Sequence, residues 1–523
     1  MNFKMRHTIP LAAASLLCCF LVSCSEGIPS ATDIPNTPEA VTTNALTEEI
    51  NDGTVDLGSL SFKLEGGAKL ENGILTGAKG FDTNTAYCED IGTTSACVDI
   101  KLKLTGITTG GIYFKYRDAD HKYVLSFDLK KEKIRLSCYN GNDITTVKAV
   151  SYPLKKNEEL SVRIAFRNAV LKIFIDDFSE NAFPAFDVPI KMYGNKGLVL
   201  DCGNGTLSFT DVQISEYTYS LSASEQYLNP IATGADPYIL QYNGKYYLYS
   251  TNAPMEGYKV SESSDLVHWT DKGLCLKKGD VHGTPTNSAG FWAPEVYYLD
   301  GRFYMFYTVE ENIGVAVADS PLGPFKKYSD GFLFPGQRAI DANLFIDDDG
   351  KMYLYYVISE NGNEIYGAEF DFKTLTVSKQ KLIITPTADT WEWTGDAGKI
   401  AEGPCMLKHN GKYYLTYSCN GYTSHNYAVG YAVSDDPLTG FERYEDNPIL
   451  SKLPHADVYG PGHHTFMTSP SGELFIVYHK HASKTVIHTR LICIDRCAFE
   501  KQANGTDILK VYGPTSTPQK LPK

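Results

Sequence analysis

The chain has 523 residues, room for two to four domains at about 150 residues each. Its 43% hydrophobic, 12% aromatic and 21% charged content excludes a disordered or collagen-like chain. With 62 acidic against 48 basic residues the net charge is -14, which argues against nucleic acid or an anionic membrane surface as the main partner, because both demand basic patches. Thirty-five tyrosines and 44 glycines point to an all-β protein handling a neutral ligand.

Lys4 and Arg6 precede an apolar run from Ile9 to Val22, too short to span a bilayer and built like a signal peptide. It ends in Leu21-Val22-Ser23-Cys24, which resembles the lipobox of bacterial lipoproteins. The resemblance implies that residues 1–24 are the signal and that Cys24 carries the lipid. The protein would then be anchored to a bacterial membrane, the outer one expected, facing periplasm or exterior and touching the bilayer through the lipid only. Residues 25–50, rich in Pro, Thr, Ala and Ser, read as a flexible tether. Nine cysteines remain beyond Cys24, irregularly spaced, so neither a disulfide framework nor a paired CxxC zinc site is expected.

Residues 51–219 alternate short strands with turn residues, as in VDIKLKL (98–104), YVLSFDL (123–129) and ELSVRIAFR (159–167), with Asn140-Gly141 and Asn204-Gly205 between such runs. Strands every 8 to 12 residues without helical period predict a β-sandwich. The pattern resembles concanavalin-like jelly rolls of the laminin-G type, implying an accessory domain that binds glycan or serves as a spacer.

Residues 220–523 repeat one plan five times: an acidic residue or His, a strand, a Gly turn and an aromatic strand. The copies begin at Asp236, Glu295, Asp341, Glu402 and His463, and their turn glycines are Gly244, Gly301, Gly350, Gly411 and Gly472. Self-similarity at about 50 residues predicts a five-bladed β-propeller. The run 347–350 (DDDG) reads as a hairpin turn, since its acids are contiguous and no Glu sits at the twelfth position of a calcium loop.

The residue opening each repeat is expected to face the central channel. Four carboxylates and an imidazole converging there are costly without a function. Paired carboxylates in an aromatic pocket suit glycoside hydrolysis, one acid protonating the leaving oxygen while a carboxylate activates water. Trp292, which precedes Glu295, Trp391 and Trp393, in the loop leading to Glu402, and Tyr459, in a loop expected to rim the pocket, are candidates for the sugar subsite, and Arg338 and Arg490 are candidates for bonding sugar hydroxyls or a carboxylate. His479 and His481 share one strand face, and a zinc site there ranks low.

The motifs Gly-Ala-Asp236-Pro, Phe-Trp292-Ala-Pro-Glu295, Ile-Asp341-Ala, Ala-Glu402-Gly-Pro and Gly-Pro-Gly-His463, in this order, resemble glycoside hydrolase family 43, over about residues 225 to 515. The resemblance implies an inverting, exo-acting enzyme on plant-type polysaccharide or oligosaccharide, an α-L-arabinofuranosidase first and a β-xylosidase next. By position it makes Asp236 the general base, Glu402 the general acid and Asp341 the residue that tunes that acid. It requires no cofactor, though His463 borders a calcium or sodium ion in some members. Alternatives are a non-catalytic glycan-binding lipoprotein, a galactan-acting member, and, lowest, a fructan-acting propeller, whose Asn-Asp-Pro and Glu-Cys motifs are not matched here.

Overall fold

The computed structural model describes residues 54–191, 194–502 and 505–523. The signal segment, Cys24 and the tether lie outside the described residues. Strands between Thr54 and Ser215 form two antiparallel sheets, one of eight strands and one of seven. Period-two patterning explains the pair. In Ala96–Leu104 the side chains of Val98, Ile100, Leu102 and Leu104 are buried while Lys101 is exposed and Asp99 and Lys103 lie at the surface. These residues meet Phe114, Tyr123, Leu125 and Leu136 of the other sheet in one core, so the architecture is a sandwich.

From Ala235 onward the chain builds five antiparallel blades. Their innermost strands are Ala235–Tyr242, Trp292–Leu299, Ala339–Ile346, Ala401–His409 and Gly462–Thr468, and each contacts the next around the ring. Ala232–Thr233 pairs with Arg490–Glu500 of blade five, so the start of the propeller closes its last blade. Three turns are the expected two-residue hairpins, with Asn243 and Gly244 at φ 50° and 72°, Asp300 and Gly301 at 47° and 82°, and Asn410 and Gly411 at 47° and 76°. The 347–350 run is a turn, its Asp347 carboxylate taken by Lys408 and by the Tyr413 hydroxyl. All nine described cysteines are free and buried.

The sandwich and propeller share a core. The loop from blade four to blade five dips into the sandwich, where Leu453, Ala456 and Val458 join its hydrophobic cluster. The buried His455 Nε2 lies 2.9 Å from the Pro189 carbonyl oxygen and 3.2 Å from the Tyr123 hydroxyl. The C-terminal segment adds a polar seam. Thr517 and Gln519 donate to the buried Asp187 of the sandwich, while the Thr515 hydroxyl donates to the buried Asp495 of blade five (2.5 Å). Burying a Leu or Val side chain is worth about 1.5–3 kcal/mol, and the same loop runs on to His463. A chain lacking residues 51–219 should therefore be insoluble or melt well below the full-length protein in a thermal scan; a soluble propeller with unchanged Tm would show the sandwich to be dispensable.

Candidate active site

Each innermost strand opens with a β-bulge, because three residues on it span two on its neighbour. Ala235 pairs with Thr251 but Tyr238 with Tyr249, and the same skip recurs at Trp292/Glu295, Ile340/Asn343, Glu402/Cys405 and Gly462/Thr465. The first residue of every bulge is left-handed: Asp236 (φ 52°), Ala293 (36°), Asp341 (57°), Gly403 (55°) and His463 (44°). Five such residues, four of them not glycine, mark a place where surrounding structure enforces an unfavourable backbone.

This register corrects the expectation that the five repeat-opening residues are equivalent. Asp236, Asp341 and His463 occupy the bulge itself, whereas Glu402 stands one position earlier and Glu295 two positions later. Glu295 therefore belongs to another layer, where the Tyr297 hydroxyl and Asn343 Nδ2 (3.1 Å) donate to it. Burial pushes its carboxyl up to about 8 despite these bonds. A cavity of about 10 Å3, on the scale of one water, lies among Asp236, Tyr238, Glu295, Asp341, His463 and His464.

The bulge N–H groups are satisfied by a repeated device. The N–H of Ala293 donates to Thr251 Oγ1 (2.9 Å), that of Asp341 to Thr308 Oγ1 (3.4 Å), that of His463 to Ser418 Oγ (2.9 Å) and that of Asp236 to His479 Nδ1 (3.1 Å). Each acceptor sits at one equivalent position on the second strand of the preceding blade, paired with Ala235, Trp292, Glu402 or Gly462. In blade three that position is the buried, apolar Val357. The Gly403 N–H instead donates to Asp341 Oδ2 at 3.1 Å. One missing side-chain acceptor thus draws the Asp341 carboxylate to the residue following Glu402.

The two outer carboxyls are biased in opposite directions. Burial alone would raise Asp236, but Arg490 Nη1 (3.1 Å) and His463 outweigh it and hold the carboxyl well below its usual range. The Thr251 hydroxyl also donates to it at 2.6 Å. Glu402 is pushed up to about 7 by burial and by the neighbouring Asp341, against His463 and the bond from Tyr427 (2.8 Å), and Asn363 Nδ2 also donates to it (3.0 Å). Burial also raises Asp341, with Asp236 adding to it. Burial would lower His463, but Asp236, Asp341 and Glu402 raise it above an ordinary imidazole. His479 is depressed to about 3 by burial; its Nδ1 accepts a bond, so the ring proton sits on Nε2.

Of the other expected residues, Arg490 is in the site, its guanidinium on Asp236 and 4.4 Å from the Tyr422 ring centroid. Tyr459 faces His425 at 5.2 Å between ring centroids. Trp391 is a correction. Its indole packs on Tyr417 against the hydrophobic cluster of blades three and four, so tightly beneath Gly430 that a Cβ there would sit 2.3 Å from it. Arg338 is another, because its exposed guanidinium is engaged by Glu311 (3.3 Å) and the Ser359 carbonyl instead of a site carboxylate. Trp292, the first residue of its strand, and Trp393, in the loop before Glu402, are half-buried. Nothing in the sequence marks Thr251, Asn363 or Tyr427 as carboxylate partners, because lone polar residues in aromatic strands and loops carry no signal for that role.

Among the described residues no group of three or more His, Cys, Asp or Glu is arranged to hold a metal ion. His463 points its Nδ1 at Asp236 (3.4 Å), and Asp236 is already bound by Arg490 and Thr251. This donor set does not fit a protein-ligated calcium, sodium or zinc ion.

Val357→Thr would supply the missing hydroxyl. It should compete with Asp341 for the Gly403 N–H and move the Asp341 titration to higher pH, read by 13C NMR of labelled carboxyls. An unmoved titration in a folded variant would refute the exchange.

A model of glycosyl hydrolases family 43 matches residues 227–505. A thermostable family-43 glycoside hydrolase of known structure is 41% identical, covering 57% of this chain and 99% of that one, with TM-score 0.51. An endo-1,4-beta-xylanase structure from Bacteroides thetaiotaomicron is 36% identical over 56% of this chain and 98% of the other, also with TM-score 0.51. Among curated relatives, the beta-D-galactofuranosidase xynD of Aspergillus niger is 28% identical over 52% of this chain and 82% of its own. The arabinoxylan arabinofuranohydrolase of Paenibacillus polymyxa is 29% identical over 47% of this chain, and the match spans only 44% of that enzyme. The propeller, its carboxylate-lined bulges and these matches together make the chain a member of glycoside hydrolase family 43.

Proposed function

We propose that this family 43 enzyme is an inverting, exo-acting glycosidase on plant-type glycans, releasing α-L-arabinofuranosyl units, with β-xylosyl ends as the second choice. One observation carries the assignment of roles: two carboxyls on one bulged ring have opposite surroundings, Asp236 beside Arg490 and His463 and Glu402 buried beside Asp341, so their proton affinities diverge. Asp236, kept ionised by Arg490 and His463, is the general base that removes a proton from the attacking water. Glu402, kept protonated by burial and by Asp341, donates its proton to the departing oxygen. Asp341 acts through Glu402 and is a positioning and tuning residue. Arg490 braced on Tyr422, together with Tyr459, forms one wall of the sugar subsite, and Trp292 and Trp393 are the remaining stacking candidates. No cofactor enters the steps.

Relatives named as arabinoxylan arabinofuranohydrolase and beta-xylosidase support the sugar, while the galactofuranosidase keeps a galactose-type furanoside as the alternative. The reading also includes lipid attachment at Cys24 and hence a membrane-held enzyme, supported by the Leu21-Val22-Ser23-Cys24 motif.

Asp236→Asn should abolish turnover on every substrate. Glu402→Gln should lose about 100-fold or more on unactivated glycosides and much less on aryl glycosides with good leaving groups, which need little protonation. Equal losses on both substrate types would remove Glu402 from the acid role, and a product first appearing by 1H NMR as the retained anomer would overturn inversion. Because Glu402 is raised, its proton is present below about 7 and lost above it. The kcat/KM profile should fall through that pH on the alkaline side, with the acidic limb lying below the ordinary carboxylate range. A Glu402→Gln profile that keeps the alkaline limb would assign it to another group.

A further inference from the structure

A cleft of about 680 Å3 lies between the sandwich and the outer parts of blades four and five, within the range of ligand sites. Its sandwich wall comprises residues 130–133 and 147–153, and its propeller wall is drawn mainly from 444–453 and 508–514. The chain as a whole is acidic at -14, yet six lysines line this cleft against four carboxylates. Two of those carboxylates are spent within it, in Lys133–Asp446 (3.0 Å) and Lys510–Glu500 (3.0 Å). Lys130 and Lys131 are exposed and form no ion pair among the described residues. Lys148 reaches the Gly513 carbonyl at 3.3 Å, and burial presses its ammonium down to about 8, so an anion beside it would relieve a cost already present.

Flat rings also line the walls. Tyr444 is stacked on Tyr431 (4.8 Å, 12°) and Tyr512 on Phe183 (4.0 Å, 16°), giving braced platforms of the kind that sugar rings pack against. Lys452, in the lining of the cleft, donates its ammonium to Asn426 Oδ1 (2.6 Å). Asn426 is followed by Tyr427, the donor to Glu402.

We propose that this cleft is a second glycan-binding site, taking a carboxylate-bearing, uronate-containing stretch of the polysaccharide that the propeller trims. The inference rests on the glycosidase reading for its ligand class. A recessed cleft between two domains suits a chain better than a flat lipid surface, and the lysine surplus distinguishes an acidic sugar from a neutral one.

The test uses the full chain carrying Glu402→Gln, titrated calorimetrically with a xylotetraose bearing one glucuronic acid, with plain xylotetraose, and with vesicles containing phosphatidylglycerol. The acidic oligosaccharide should bind about tenfold tighter than the neutral one, as one charge-assisted contact would supply. That advantage should vanish in the added double variant Lys130→Glu/Lys131→Glu and in about 0.5 M salt. Equal binding of the two oligosaccharides, no binding of either, an advantage surviving the lysine changes, or binding to vesicles instead would each overturn the proposal. Aryl-glycoside turnover by the Lys130→Glu/Lys131→Glu enzyme with Glu402 intact should match the unaltered protein. Absent turnover in both would defeat the glycosidase reading separately from the cleft.

Discussion

The left-handed bulge at the head of each innermost strand is the constraint on which the site depends. A regular strand would alternate its side chains between the two neighbouring blades, as Tyr238 and Ile239 do. The extra residue breaks that alternation at one level in all five blades, so Asp236, Asp341 and His463 can approach one another around the axis. Each bulge leaves an N–H turned away from its own ladder, and a buried orphan N–H is costly. The acceptors on the preceding blades are therefore part of the site's foundation, since they stabilise the backbone conformation that aims the carboxylates.

Symmetry explains the frame, and the departures from it explain the chemistry. Where blade three offers Val357 in place of a polar acceptor, the Asp341 carboxylate takes the Gly403 N–H and comes to lie beside Glu402. Where blade five offers a neutral His479, the acceptor sits near Asp236 together with Arg490 and His463. The same buried ring thus contains one carboxyl crowded by another acid and one surrounded by bases. Their proton affinities separate for that reason, and a pair separated in this way is what acid–base division of labour requires.

The sandwich is tied into this arrangement physically. The loop that ends at His463 is pinned in the sandwich core by Leu453, Ala456 and Val458, and the C-terminal segment engages a buried carboxylate in each domain. A spacer would be expected to touch its enzyme through a modest polar interface; a shared hydrophobic cluster couples the two domains' stability and the placement of one wall of the site.

Much was legible in the sequence because its signals are local and periodic. Alternating polarity determined the sandwich strands, Asn-Gly and Asp-Gly pairs the hairpins, and a repeat near 50 residues the five blades; motif order pointed to Asp236, Asp341 and Glu402. What only the tertiary structure decided depends on distances between blades. Strand period cannot reveal a bulge register, so Glu295, Asp341 and Glu402 looked equivalent although they lie at three different positions. Trp391 looked like a sugar platform because its loop leads to Glu402, but the missing Cβ of Gly430 lets the indole fold inward. Thr251, Asn363, Tyr427 and Arg490 acquire their roles from carboxylates 15 to 254 residues away. A sequence records residue types in order, whereas the proton affinity of a carboxyl is set by whichever charges and donors the fold brings within a few ångströms.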